Sequence, residues 1–174
     1  MSGSHAPRSP PRSEDGILTI SQSIYILAPA DRVWETLLDF KAYKEWNSFV
    51  DRVEFVSDQR STEPSADQTP AVGRKMVIYP VNLSSITATM HTLDPANFRV
   101  AWETVPVLPK WALHADRWQT LTREEVDGEM MTKYQSFEVF SGVLAYIIRW
   151  FLKKQLNDGV RSMAEALKTR SEGI

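Results

Sequence analysis

Apolar and polar positions alternate through residues 17–27, and the stretch is rich in β-branched side chains, so it reads as a strand. Ala28-Pro29 ends it. Proline suits the first turn of a helix, where its missing N–H would be unpaired anyway. Val33, Trp34, Leu37 and Leu38 then form one apolar stripe at helical spacing. Phe40, Tyr43 and Trp46 predict a second short helix, broken by Asn47-Ser48. From there the period changes to two. Strands are expected over residues 52–57, 74–79, 84–93, 98–104, 111–123 and 130–140, with polar loops at 58–70 and 105–110. Asp127-Gly128 is a strong hairpin signal within a turn placed at 124–129. Gly142 marks the break before a final helix, residues 144–170, which Asn157-Asp158-Gly159 is expected to kink.

The faces of these strands decide more than their ends. Ile86, Ala88 and Met90 share one face, as do Phe98, Val100 and Trp102, and these apolar faces should meet the long helix. His91 and Glu103 would then face water. The two long strands break this rule. Arg117 and Gln119 lie among Leu113, Ala115 and Leu121, and Glu138 shares a face with Tyr134, Ser136 and Phe140. Whichever face is buried, polar groups are buried with it.

The chain has 174 residues, is 43% hydrophobic, is 24% charged and carries a net charge of −2. These values fit one soluble globular domain with no general attraction to nucleic acid. Cysteine is absent, which excludes disulfides and thiolate chemistry. The expected compartment is the cytoplasm. No metal site, phosphate loop or dinucleotide fingerprint is evident, so no cofactor is expected. Residues 1–16 read as a disordered tail, without the apolar core of a secretory signal, and residues 17–172 as the domain. The apolar run 143–152 is too short to span a bilayer and reads as the buried face of a helix. Arg149, Lys153 and Lys154 read as a solvated face, too small a cluster to anchor the chain to a membrane alone. The tryptophans at 102, 111, 118 and 150 read mostly as core, and His91 and His114 as surface.

Several motifs in order resemble the START/polyketide cyclase (SRPBCC, Bet v 1-like) superfamily. They are Ala28-Pro29-Ala30 with Val33-Trp34; Tyr43, Trp46, Asn47 and Phe49; Val72-Gly73; Leu93-Asp94-Pro95 followed by Trp102; Glu138, Phe140 and Gly142; and Ala166-Leu167-Lys168. The resemblance implies an α+β helix-grip fold. About seven antiparallel strands would curve around a long C-terminal helix, with two short helices after strand one and an apolar cavity between sheet and helix. It also implies that Arg117 stands where many relatives carry a cavity histidine, so that Arg117, Gln119 and Glu138 would face the cavity.

The superfamily holds carriers, receptors and enzymes, so its fold does not name an activity. An inward arginine needs a partner, and Glu138 on the neighbouring strand could supply it. That pair is either an architectural ion pair or a ligand-polarising one, and at this point both readings stand. On the functional reading Arg117, Glu138 and Tyr134 carry chemistry. Trp46, Phe49, Met76, Ile78, Met90, Trp102, Gln119 and Phe140 would line the ligand site, with Trp46 and Phe49 near its mouth. The expectation is a small hydrophobic ligand and a cofactor-independent cyclase or isomerase acting on a polyketide- or terpenoid-type molecule. A non-catalytic lipid or quinone carrier is the alternative. No stable membrane insertion is expected, and the oligomeric state is left open.

Overall fold

The computed structural model describes residues 8–57, 63–105 and 109–173. In chain order it contains β1 (Leu18–Ile26), α1 (Ala30–Leu38), a 3-10 turn (Phe40–Ala42) running into α2 (Tyr43–Trp46), β2 (Val50–Phe55), β3 (Lys75–Pro80) and β4 (Ile86–Asp94). β5 (Arg99–Thr104), β6 (His114–Val126), β7 (Glu129–Ser141), α3 (Ala145–Phe151) and α4 (Lys153–Glu172) follow. The seven strands form one curled antiparallel sheet in the order β1-β7-β6-β5-β4-β3-β2. The fold is the α+β helix grip: α4 lies in the hollow of the sheet, and the short helices follow β1.

α4 is held there by one stripe. Leu156, Val160, Met163, Ala164 and Leu167 recur at helical spacing and are buried. Burying each large aliphatic side chain is worth roughly 1.5–3 kcal/mol. Polar contacts fix the helix lengthwise. Glu172 Oε1 accepts from the Leu27 N–H at 2.7 Å, and Lys168 Nζ donates to the Tyr25 carbonyl at 2.9 Å. Near its middle Ser162 Oγ meets Ser48 Oγ at 2.5 Å. The elbow before β2 has its own lock. Buried Asn47 accepts from the N–H groups of Phe49 and Val50 at 3.0 and 2.9 Å, which ends α2 and turns Phe49 inward. Pro29 sits at the N-cap of α1, and its carbonyl accepts from the Val33 N–H at 3.1 Å.

Several expectations change. The last helix breaks at Leu152, between α3 and α4, and Gly159 lies within α4 without ending it. Gly159 has a packing reason instead: a Cβ there would overlap the Phe49 ring. The β6–β7 turn is tighter than 124–129, because the strands run to Val126 and from Glu129. Gly142 does break the chain. Its φ is +90°, and a Cβ would lie 2.6 Å from the Ala112 carbonyl oxygen. His91 does not face water. On the face opposite Arg117, its side chain, 8% exposed, lies 2.8 Å from Asp116 and against the Trp118 ring. Trp111 and Trp150 are not core residues; they are 71% and 82% exposed. The run 143–152 is not a buried face either. Only Ala145 is buried in α3, with Ile148 and Leu152 half-buried, while Val143, Tyr146, Ile147 and Phe151 are exposed.

Part of the expected tail, residues 1–7, lies outside the described residues, as do 58–62 and 106–108 of the two loops. From residue 8 the chain runs to β1 through a 3-10 turn (Ser13–Asp15), and Arg8 pairs with Glu103 at 3.3 Å.

Gly159→Ala tests the close approach. Helix propensity alone favours alanine by about 1 kcal/mol. Overlap with the Phe49 ring reverses the sign, and a net loss of about 1–3 kcal/mol is expected in urea unfolding. Adding Phe49→Ala removes the overlap, so the double variant should lose less than the sum of the single losses.

Candidate functional site

Between sheet and helices lies a cavity of about 430 Å³. Phe40, Tyr43 and Phe49 from the elbow close one side, and Met76, Ile78 and Ala88 from β3 and β4 form the floor. Ile148, Leu152, Leu156 and Met163 from α3 and α4 form the roof. Two charged groups, Arg117 and Glu138, complete the wall.

Their meeting is dictated by register. Trp102 on β5, Arg117 on β6, Glu138 on β7 and Ile20 on β1 are aligned cross-strand neighbours. Direct cross-strand neighbours point to the same side of a sheet. Arg117 Nη1 lies 3.7 Å from Glu138 Oε2, and Nη2 lies 3.6 Å from the Met163 thioether. The Phe49 ring centroid is 6.0 Å from the guanidinium carbon. The side chains are only 7% and 15% exposed. Arg117 Nε has no hydrogen-bond partner among the described residues. The arginine is therefore paired by charge but not saturated with hydrogen bonds, and it keeps donor capacity for a ligand oxygen.

Burial pushes the Glu138 carboxyl above the ordinary carboxylate range. Arg117 opposes this in part, and Asp116 adds to it. A carboxyl whose proton is held more tightly than usual in an apolar wall is suited to exchanging that proton with a bound molecule.

One layer along the same face, Gln119 lies opposite Ser136, and Leu121 opposite Tyr134. The Tyr134 hydroxyl donates to Gln119 Oε1 at 2.5 Å, and both residues are buried. Burial pushes the Tyr134 hydroxyl up from its usual range, with Arg117 nearby acting in the other direction. Gln119 Nε2 and Ser136 Oγ find no partner among the described residues.

Of the residues singled out from sequence, the structure brings Phe49, Met76, Ile78, Trp102, Arg117, Glu138 and Phe140 to the cavity wall. Tyr134 and Gln119 stand behind the wall as a bonded pair. Met90 is buried in the core beneath Trp102, its β5 neighbour. Trp46 lies away from the mouth, stacked edge-on against Tyr43 at 5.0 Å and bordering a shallow outer depression with Asp39 and Arg170. Met163, Ser84 and Ser85 were not anticipated. Met163 was legible as a member of the α4 stripe, but its contact with Arg117 needs the helix placed over β6. The two serines were expected in strand 84–93, but β4 begins only at Ile86 and they lie in the turn before it. Among the described residues, no three His, Asp or Glu side chains gather in a way that could hold a metal ion.

The profile of the family described as polyketide cyclase/dehydrase and lipid transport matches residues 18–172. The chain belongs to this family. A Penicillium oxalicum protein named oxopyrrolidines biosynthesis cluster protein O is 28% identical over 183 aligned positions, covering 92% of this chain and 90% of the relative. Among solved structures, a hypothetical Helicobacter pylori protein superposes with a TM-score of 0.70 at 14% identity, covering 98% of this chain and 99% of that one. A Thermus thermophilus protein gives 0.64 at 15% identity, covering 90% and 98%. At these identities the structural likeness establishes the fold only. Arg117 and Glu138 are the two charged residues that line this cavity.

The tuned carboxyl has a measurable consequence. Between the ordinary glutamate pKa of 4.5 and the raised value in the fold, the folded chain holds a proton that the unfolded chain has released. Glu138's contribution is complete below that window and is lost as pH rises through it. Urea unfolding across this range should show that Glu138→Gln removes the fall in stability with pH; an unchanged slope refutes the raised pKa. Tyr134→Phe tests the layer behind. It leaves buried Gln119 Oε1 without its donor and should cost about 1–3 kcal/mol.

Proposed function

We propose that the chain is a cofactor-independent cyclase or isomerase of secondary metabolism, acting on a polyketide- or terpenoid-type molecule held in the cavity. The observation that carries this reading is the Arg117–Glu138 pair, 3.7 Å apart, set into an otherwise largely apolar wall. Family membership and a relative named for a biosynthesis cluster support the setting. The volume, about 430 Å³, falls within the range of small-molecule sites.

The geometry suits an aldol-type ring closure. The apolar walls fold a flexible substrate so that its reacting carbons approach. Glu138, as carboxylate, takes a proton from a carbon next to a carbonyl. Arg117 donates hydrogen bonds to that carbonyl oxygen, where negative charge develops. The carbanion attacks a second carbonyl carbon, one carbon–carbon bond forms, and the resulting alkoxide recovers the proton from Glu138. Atoms balance without an oxidant or a second reactant, so the product is an isomer of the substrate. The Gln119–Tyr134 pair braces the layer behind Arg117.

The second reading is a carrier of an apolar molecule. It draws on the same mostly apolar wall and on the lipid transport named in the family's description. In a carrier the ion pair would orient a polar end and move no proton.

Chromatography with mass detection separates the two. Purified protein is incubated with a panel of linear polyketides, terpenoids, quinones and fatty acids, with heat-treated protein as control. Cyclisation predicts a new peak of unchanged mass. Glu138→Gln and Arg117→Leu should each slow its appearance by about 10²–10⁴ while circular dichroism stays native. A compound recovered bound and unaltered, from wild type and Glu138→Gln alike, would falsify catalysis and leave the carrier.

A further inference from the structure

Beside the cavity wall formed by α3, a set of apolar groups stands exposed among the described residues. Trp150 and Phe151 are 82% and 80% exposed, and Tyr146, Ile147, Val143, Trp111, Val81 and Ile86 are exposed too. On α3, Tyr146 pairs with Trp150 and Ile147 with Phe151 at i, i+4 spacing, so the four form one outward stripe. Ile148 and Leu152, turned the other way, line the cavity. The remaining groups are tied to this helix by hydrogen bonds. The Val143 N–H donates to the Trp111 carbonyl at 3.1 Å. Gln155, just past α3, donates to the Asn82 carbonyl at 3.4 Å, which holds the β3–β4 turn carrying Val81 alongside. Solvent-exposed apolar groups are ordinary when scattered; a contiguous set beside a cavity wall marks an interaction surface.

Charge says what covers it. Arg149 and Lys153 lie on α3 and at the start of α4, exposed, and neither forms an ion pair among the described residues. Lys154 and Lys110 nearby are engaged by Asp158 and Glu103. On a two-fold contact between copies of this chain, the patch would meet itself and bring these unpaired cations together. An anionic lipid surface accepts both parts at once: aromatic rings enter the headgroup region, and Arg and Lys meet lipid phosphates. No helix among the described residues is long and apolar enough to cross a bilayer, so contact is peripheral.

We propose that the patch formed by α3, Trp111 and the β3–β4 turn docks reversibly on an anionic membrane surface, with that side of the cavity facing the lipid. An apolar ligand would then pass between bilayer and cavity without crossing water. This inference concerns the route to the cavity and holds for either a cyclase or a carrier.

Co-sedimentation with vesicles tests it, using the whole chain and two vesicle types: phosphatidylcholine alone, and phosphatidylcholine with one-third phosphatidylglycerol. Wild type should pellet with the anionic vesicles, and less at high salt. The double variant Trp150→Ser, Phe151→Ser should lose vesicle partitioning by about an order of magnitude or more. Arg149→Gln with Lys153→Gln should lose the preference for anionic vesicles. All four positions are exposed, and circular dichroism and melting check that the variants fold. Wild type remaining in the supernatant with both vesicle types overturns the proposal. So does pelleting unaffected by the aromatic substitutions. A concentration-dependent dimer in size exclusion, lost in the Trp150/Phe151 variant, overturns it in favour of a second copy of this chain.

Discussion

An arginine and a glutamate brought together inside an apolar cup constrain everything around them. Removing either leaves a charge in a medium that solvates it poorly, so each requires the other. Register supplies the meeting: β6 and β7 pair without a slip from His114 to Val126, which places residue 117 opposite residue 138. A one-residue slip of one strand against the other would leave one of the two groups inside and turn the other to the outer face. The tight Asp127-Gly128 turn, with both residues at positive φ, fixes that register at its far end. The chemistry of the cavity is thus set about ten residues from the turn that determines it.

α4 makes the cup a cavity rather than a bare sheet. Its buried stripe fills the hollow next to β1, and toward the α3 end it stops filling and roofs open space. Phe49 links the two regions. The Asn47 lock aims its ring at the helix, and Gly159 leaves room for it there. The elbow, the lid and the guanidinium of Arg117 therefore share one aromatic contact, and a change in any of them is felt by the others.

The fold was largely legible because its signals are local. Period-two strands, a proline entry to α1 and a heavily patterned last helix each announce themselves, and the ordered motifs resembled one superfamily. Arg117 and Glu138 were legible as polar residues in apolar company. What the sequence could not show depends on three-dimensional covering. Trp46 looks like a residue of the cavity mouth because the elbow carries it, and Trp150 like a core residue because tryptophan usually is; only the placement of α2 and α3 shows their actual surroundings. His91 looked like a surface residue because alternation puts it on the outer face, and there the Asp116 carboxylate and the Trp118 ring cover it. Gly159 looked like a weak point in a helix, whereas an aromatic ring occupies the space beside it.

The strand order has a consequence for how the protein is made. β2 to β7 pair with their neighbours in sequence, but β1 pairs with β7, the last strand of all. β1 (Leu18–Ile26) thus has no partner until β7 (Glu129–Ser141) has been made. Closing so long a loop is entropically costly, and it slows folding relative to local pairing. During synthesis β1 must remain unpaired, with its alternating apolar side chains available to wrong partners. The pairing of β1 with β7 joins the sequence-distant strands of the sheet, and α4, which follows β7 in the chain, packs on that same β1.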